Sequence, residues 1–191
     1  FLHLVAAGGA ALIPGGAVAA AARGTVHWTG WAMGAEASLT LAAEDRGQAR
    51  RALADVLAEV ERLEAEFSLF VDQSAICRLN GTGHLEAPAL DMLQLLRTAR
   101  QVSHATRGAF DPTIQPLWRT VADHFAGRAD AETPVPEARL AAARRLVDWH
   151  RLRVASRLIR LDDGMAVTLH GIAQGYVTDR AAAVLRRPGF H

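Results

Sequence analysis

The sequence predicts an α+β domain, and three patterns carry that reading. Residues 45–67 place Ala49, Leu53, Val56, Leu57, Val60, Leu63 and Phe67 on one helical face, with charge on the other. Residues 25–42 alternate instead, with Val26 and Trp28, then Ala37, Leu39 and Leu41, at the spacing of half-buried strands. Near the C-terminal end, the apolar run Met165 to Leu169 reads as a strand. It leads through Gly171 and Gly175 into a helical period carried by Val177, Ala181, Val184 and Leu185.

The composition sets bounds. With 191 residues, half of them hydrophobic, and a net charge of +1, the chain can bury one real core. Near-zero charge argues against a protein that holds nucleic acid through phosphate contacts. The lone Cys77 forms no internal disulfide and belongs to no zinc-like spacing, so it reads as a small packed residue.

Residues 1–22 join a short apolar core to small residues, with Ala17-Val18-Ala19 as a cleavage-like site. The stretch is too short and glycine-rich for a stable membrane span. It reads as an export signal of the twin-arginine type, which places a mature chain starting near Arg23 in the periplasm or on the periplasmic face of the inner membrane. The paired strands follow, bent at Met33-Gly34 and broken at Gly30. After the long helix of residues 45–67, Ser74 caps a short helix that ends at Asn80-Gly81. Pro88 opens another helix carrying Leu90, Leu93, Leu96, Ala99 and Val102, which ends near Gly108.

Gly108 to Trp118 is a constrained loop: Pro112 keeps Asp111 extended and Pro116 starts a new turn, followed by a helical run from Leu117 to His124. Residues 127–136 read as an exposed loop, Pro136 starts a helix through Val147, and Val154 with Leu158 to Leu161 form a hairpin. Asp162-Asp163-Gly164 is a turn rather than a carboxylate pair for catalysis.

The chemistry concentrates in Thr168-Leu169-His170-Gly171-Ile172-Ala173-Gln174-Gly175-Tyr176-Val177-Thr178-Asp179. A strand, a glycine turn and a helix start in succession present backbone N–H groups and a positive dipole end, which suits a phosphate. Glycines there permit positive φ and close approach. The histidines show no metal-like i, i+4 spacing, and no nucleophile elbow, Walker loop or dinucleotide fingerprint occurs. On the residues alone, this is an anion-friendly turn beside a constrained Asp loop.

Three segments in order resemble the ApbE family of FAD:protein FMN transferases. Phe67 to Phe70 running into Ser74 to Asn80 matches Phe-Ser-x-aromatic followed by Ser-x-Ile-x-x-Leu-Asn. Gly108 to Thr113 matches Gly-x-Phe-Asp-Pro-Thr. Thr168 to Asp179 is similar to Asp-Leu-Gly-Gly-Ile-Ala-Lys-Gly-Tyr-x-x-Asp, and Met33-Gly34 resembles an early Met-Gly. Thr168, His170 and Gln174 depart from the usual Asp, Gly or Asn, and Lys. The Gln-Gly-Tyr-Val-Thr-Asp version resembles the NosX-like branch associated with nitrous oxide reductase maturation.

The resemblance implies a single ApbE-like, T-fold-related domain over residues 23–191 whose C-terminal part is missing, including an Asp and a Thr of the magnesium site. It implies transfer of FMN from FAD to a threonine or serine hydroxyl of a membrane or exported flavoprotein, with Mg2+ required and AMP released. Met33, Phe70, Asp111, Gln174, Gly175, Tyr176 and Asp179 would line the FAD site, and the Ala173 carbonyl would be one metal ligand. No catalytic residue is singled out. Two other readings share this site: an FAD-binding carrier or regulatory module without transfer, and an FAD pyrophosphatase giving FMN and AMP.

Overall fold

The computed structural model describes residues 2–7, 24–126 and 133–190. It divides the chain into two compact units, Phe1–Glu64 with Gln174–His191, and Ala65–Ala173. Mixed helix and sheet runs through both, as the α+β reading anticipates.

In the first unit, β1 (Leu2–Ala7), β2 (Gly24–Ala32) and β3 (Ala35–Ala43) form a sheet in the order β1-β3-β2 among the described residues. β2 and β3 are an antiparallel hairpin, and β1 runs parallel to β3. Most of the export-like segment, and the start near Arg23, lie outside the described residues; Leu2–Ala7 is the part seen, as β1. The hairpin turns at Met33 and Gly34, both at positive φ (54° and 74°), the combination a two-residue hairpin loop needs. Gly30 does not break β2. It lies within the strand, where a Cβ would meet the Trp28 ring at 2.4 Å, so the missing side chain makes room for the indole.

Helix α1 (Arg46–Phe67) follows, and later in the chain helix α6 (His170–Arg186) enters this unit from Gln174 onward. Val26, Leu39 and Leu41 of the sheet pack with Ala49, Ala52 and Val56 of α1 and with Ala181 and Leu185 of α6. Glu59 of α1 accepts hydrogen bonds from Arg62 (2.8 Å) and from Arg180 of α6 (2.9 Å). These contacts hold its carboxyl at about 2, well below the ordinary range; the Arg62 bond is the largest cause, and partial burial works against it.

In the second unit, helix α2 (Ala75–Thr82) is capped by Ser74, whose hydroxyl accepts from Cys77 N, as the sequence predicts. It ends two residues later than the Asn80-Gly81 pair suggests, because Gly83 adopts the left-handed cap (φ 75°) and donates to Leu79 O. β4 (His84–Glu86) follows, then α3 (Leu90–Ala105), α4 (Gln115–Phe125) and α5 (Glu137–Arg144). Leu90 is 83% exposed rather than on the buried face, since it begins α3 before the apolar stripe is covered. Residues 127–132 of the expected exposed loop lie outside the described residues.

β5 (Arg153–Ala155) and β6 (Leu158–Arg160) make the expected hairpin, and β4 completes the order β4-β6-β5. The Asp162 turn also holds: Met165 N donates to Asp162 O at 3.0 Å, and the Asp162 carboxylate faces Arg151 and Arg153, each at 3.9 Å.

Met165 to Leu169 is not a strand. The run is largely buried, but its backbone pairs outside any ladder among the described residues: Val167 with the Asn80 amide, and Thr168 N with Pro112 O at 2.8 Å. An apolar run shows that a segment is buried, not what its backbone pairs with.

Candidate functional site

The glycine turn also differs from expectation. Helix α6 already begins at His170, so Gly171 and Gly175 are helical and neither has positive φ. Gly171 is needed for packing: a Cβ there would meet Phe110 Cε2 at 3.0 Å. The N–H groups of His170, Ile172 and Ala173 are taken by Thr168 Oγ1 (3.3 Å) and by Leu169 O (2.9 and 2.7 Å). The open phosphate cradle expected here is therefore a helix start that caps itself, with Thr168, in the place of the usual Asp, as the capping side chain.

A cavity of about 440 Å3 opens beside this start, within the second unit. Phe70, Trp118 and His170 give it aromatic walls, Asn80 and Gln115 bring amides, and Arg119 and Asp123 bring opposite charges. Flat apolar walls with a few polar groups suit an aromatic ligand with a polar edge. Phe70 is 69% exposed, yet its position is fixed. Its N–H donates to Ser68 Oγ at 3.2 Å, and buried Ser74 donates to Ser68 O at 2.7 Å, so the Phe-Ser-x-aromatic stretch is one folded turn. The Phe70 and His170 rings lie 5.5 Å apart. Partial burial lowers the His170 pKa from the ordinary histidine value, which favours the neutral imidazole at this wall.

Of the residues the sequence singles out, this cavity draws on Phe70. Asp111, in the same unit, turns elsewhere: Oδ1 accepts from Thr113 N (2.8 Å) and Thr113 Oγ1 (2.6 Å), and Oδ2 accepts from Trp149 N (3.1 Å). Its carboxylate organises the Gly-x-Phe-Asp-Pro-Thr loop. Ala173 is fully buried in α6. Among the described residues no three His, Cys, Asp or Glu side chains converge as metal ligands.

In the first unit, Met33 is buried, and its N–H donates to Glu64 Oε1 at 2.6 Å, which holds the positive-φ turn. Gln174, Gly175 and Asp179 lie on the exposed side of α6, and Tyr176 is half-buried. Sequence reasoning noted His170 as a departure from the family pattern but missed Trp118, Gln115, Arg119 and Asp123. Ile114, Trp118, Val121 and Phe125 recur at helical spacing, a pattern that core packing also produces. Yet Trp118 is 62% exposed, so the same period produces an open wall.

Fold and cavity together define an α+β protein with a ring-lined site suited to a flat ligand. Comparison with solved structures gives the fold a close parallel. The chain is similar to the flavin transferase ApbE from Vibrio cholerae, with a TM-score of 0.76, 21% identity, and coverage of 88% of this chain and 55% of that one. It is similar to the apo form of the Pseudomonas stutzeri flavinyl transferase ApbE, with a TM-score of 0.73, 22% identity, and coverage of 88% and 54%. The ApbE protein from Thermotoga maritima gives 0.74 and 20%, with coverage of 86% and 53%. The chain thus spans little more than half the length of these structures. No match to a curated protein was found. The profile of the ApbE family matches residues 33–191, and the chain belongs to that family.

Proposed function

We propose that this chain is the FAD-handling part of a magnesium-dependent flavin transferase. It serves the transfer of FMN from FAD to a threonine or serine hydroxyl of a target flavoprotein. The observation that carries the reading is the family match over residues 33–191; the ring-lined cavity beside α6 supports it. In that reaction the acceptor oxygen attacks the FMN-side phosphorus, the pyrophosphate P–O bond breaks, and AMP leaves. Positioning and charge neutralisation account for most of such catalysis.

The chain's own share is binding. Phe70, Trp118 and His170 offer flat walls for a ring system, with Asn80, Gln115 and Arg119 at the polar edges. Met33, Asp111, Gln174, Gly175, Tyr176 and Asp179 are assigned to FAD binding by the family pattern alone. Magnesium would neutralise the pyrophosphate. The described side chains do not make a magnesium site by themselves, and the Ala173 carbonyl is the single ligand the family pattern offers here.

The Gln174 variant supports placement in the NosX-like branch, with a membrane-bound flavoprotein of nitrous oxide reductase maturation as acceptor. The apolar, small-residue start of the chain supports export to the periplasm or to the periplasmic face of the inner membrane. No described helix is long and apolar enough to cross a membrane.

The test incubates the protein with FAD, Mg2+ and an acceptor domain carrying the threonine, and weighs the acceptor by mass spectrometry. A gain of one FMN, abolished by EDTA, is the expected result. Free FMN and AMP without acceptor gain would identify a pyrophosphatase, and FAD bound unchanged would identify a carrier; either overturns the transferase reading.

A further inference from the structure

A second cavity, of about 480 Å3, lies on another face of the second unit between α3 and the turn at Trp149. It is lined by Arg97, Arg100, Gln101, His104 and Trp149, and no carboxylate stands among the described residues of its walls. We propose that it is an anion site for a small organic phosphate, a molecule with a phosphate for the arginines and an apolar part for the indole. None of the proposed FAD-site residues lines it.

Arg97 and Arg100 stand at i and i+3 on one face of α3, where like charges destabilise a helix unless something neutralises them, and His104 follows one turn on. Among the described residues neither arginine has an ion pair or hydrogen bond, whereas Arg144, Arg151 and Arg153 of the same unit each face a carboxylate. Arg100 goes further, because its Nε is buried and without a partner. A guanidinium N–H withdrawn from water and left unsatisfied is costly, and an oxyanion in the cavity would offset the charge of the same guanidinium without touching that atom.

Asp148, next to Trp149 in sequence, is engaged: Oδ1 accepts from His150 N (3.0 Å) and pairs with His150 Nδ1 (2.9 Å), and Oδ2 lies 3.7 Å from Arg151.

The apolar wall is built in advance. Trp149 N–H donates to Asp111 Oδ2 (3.1 Å), and Asp148 N–H donates to Thr113 Oγ1 (2.8 Å), so the Asp111 loop anchors the backbone under the indole. His150 stacks on the ring at 3.8 Å, and His104 meets it edge-on at 6.3 Å. A wall fixed before binding spares the ligand the entropy of ordering it. The volume suits a mononucleotide and greatly exceeds a bare phosphate.

Isothermal titration of the full chain with AMP, and separately with inorganic phosphate, tests this. AMP should bind more tightly than phosphate. Arg97→Gln/Arg100→Gln should weaken AMP about tenfold or more, the size expected for losing charged hydrogen bonds. Arg97→Lys/Arg100→Lys should retain part of the affinity, and Phe70→Ala should leave it unchanged. Circular dichroism confirms that each variant folds. No AMP binding, binding indifferent to the Gln pair, or binding lost in Phe70→Ala would each overturn the proposal. The last would place AMP in the ring-lined cavity instead, and failure here leaves the flavin-transfer reading to its own assay.

Discussion

The Asn80 side chain and the Val167 backbone hold each other through two hydrogen bonds. Asn80 Nδ2 donates to Val167 O at 2.9 Å, and Val167 N–H donates to Asn80 Oδ1 at 2.7 Å. One primary amide thus supplies both the acceptor and the donor that a neighbouring strand would supply. It fixes the segment that delivers the chain to His170, and Asn80 itself lines the ring-walled cavity.

Asn80→Ala should therefore destabilise the protein by about 2–4 kcal/mol, since it leaves a buried N–H and a buried C=O unpaired at roughly 1–3 kcal/mol each. Asn80→Asp keeps the acceptor and loses the donor, so it should also destabilise. Urea denaturation measures both. A loss below about 0.5 kcal/mol for Asn80→Ala, the size of an ordinary surface change, would show that water or other groups replace the pair.

That pair also shows what the sequence could and could not reveal. The fold class was readable because helix and strand periods are local: the stripe from Ala49 to Phe67 and the alternation on either side of Met33-Gly34 follow from side-chain spacing alone. Family membership was readable because Phe67 to Asn80, Gly108 to Thr113 and Thr168 to Asp179 recur in order. Met165 to Leu169 was misread because its partners, Asn80 and Pro112, lie far away in sequence. Trp118 was missed because an apolar helical period looks the same whether a neighbour covers it or a cavity opens beside it. The role of Asp111 as a three-way acceptor depended on Trp149, a residue no motif connects to it.

His170 gives a prediction with a pH sign. Partial burial against Phe70 lowers its pKa, so the folded state favours the neutral ring. As pH falls below the ordinary value of 6.5, the unfolded chain binds this proton before the folded chain does, and the contribution of His170 to stability declines with pH. Phe70→Ala should expose the imidazole and return its titration toward 6.5, as followed by NMR of the ring protons. Titration of the wild-type ring at or above 6.5 would contradict the packing.

Glu59 titrates in the opposite sense. Its carboxyl is held at about 2 against an ordinary 4.5, chiefly by Arg62 and with help from Arg180. The stabilisation is fully present above pH 4.5 and is lost as pH falls from there toward 2. Glu59→Gln should cost about 1–2 kcal/mol at neutral pH, because the side chain is only 14% exposed while its partners are partly solvated. Thermal melts between pH 2 and 7 should show a flatter acid limb for the variant. Parallel curves for the two proteins would mean that Glu59 is not the titrating group.

Asp111 links the Gly-x-Phe-Asp-Pro-Thr loop to Trp149, and the isosteric Asp111→Asn change isolates that link. Placed with its oxygen toward Thr113, the new amide keeps the acceptor for Thr113 N but points an NH2 at the Trp149 N–H, donor against donor. Flipping the amide repairs Trp149 and spoils Thr113, so no rotamer satisfies both. The expected cost is about 1–3 kcal/mol, with the turn at Trp149 loosened. AMP binding by the chain should weaken in proportion while Arg97 and Arg100 stay intact. Urea denaturation and isothermal titration of Asp111→Asn together check the coupling. Lost stability with unchanged AMP affinity would show that the indole wall stands without its anchor.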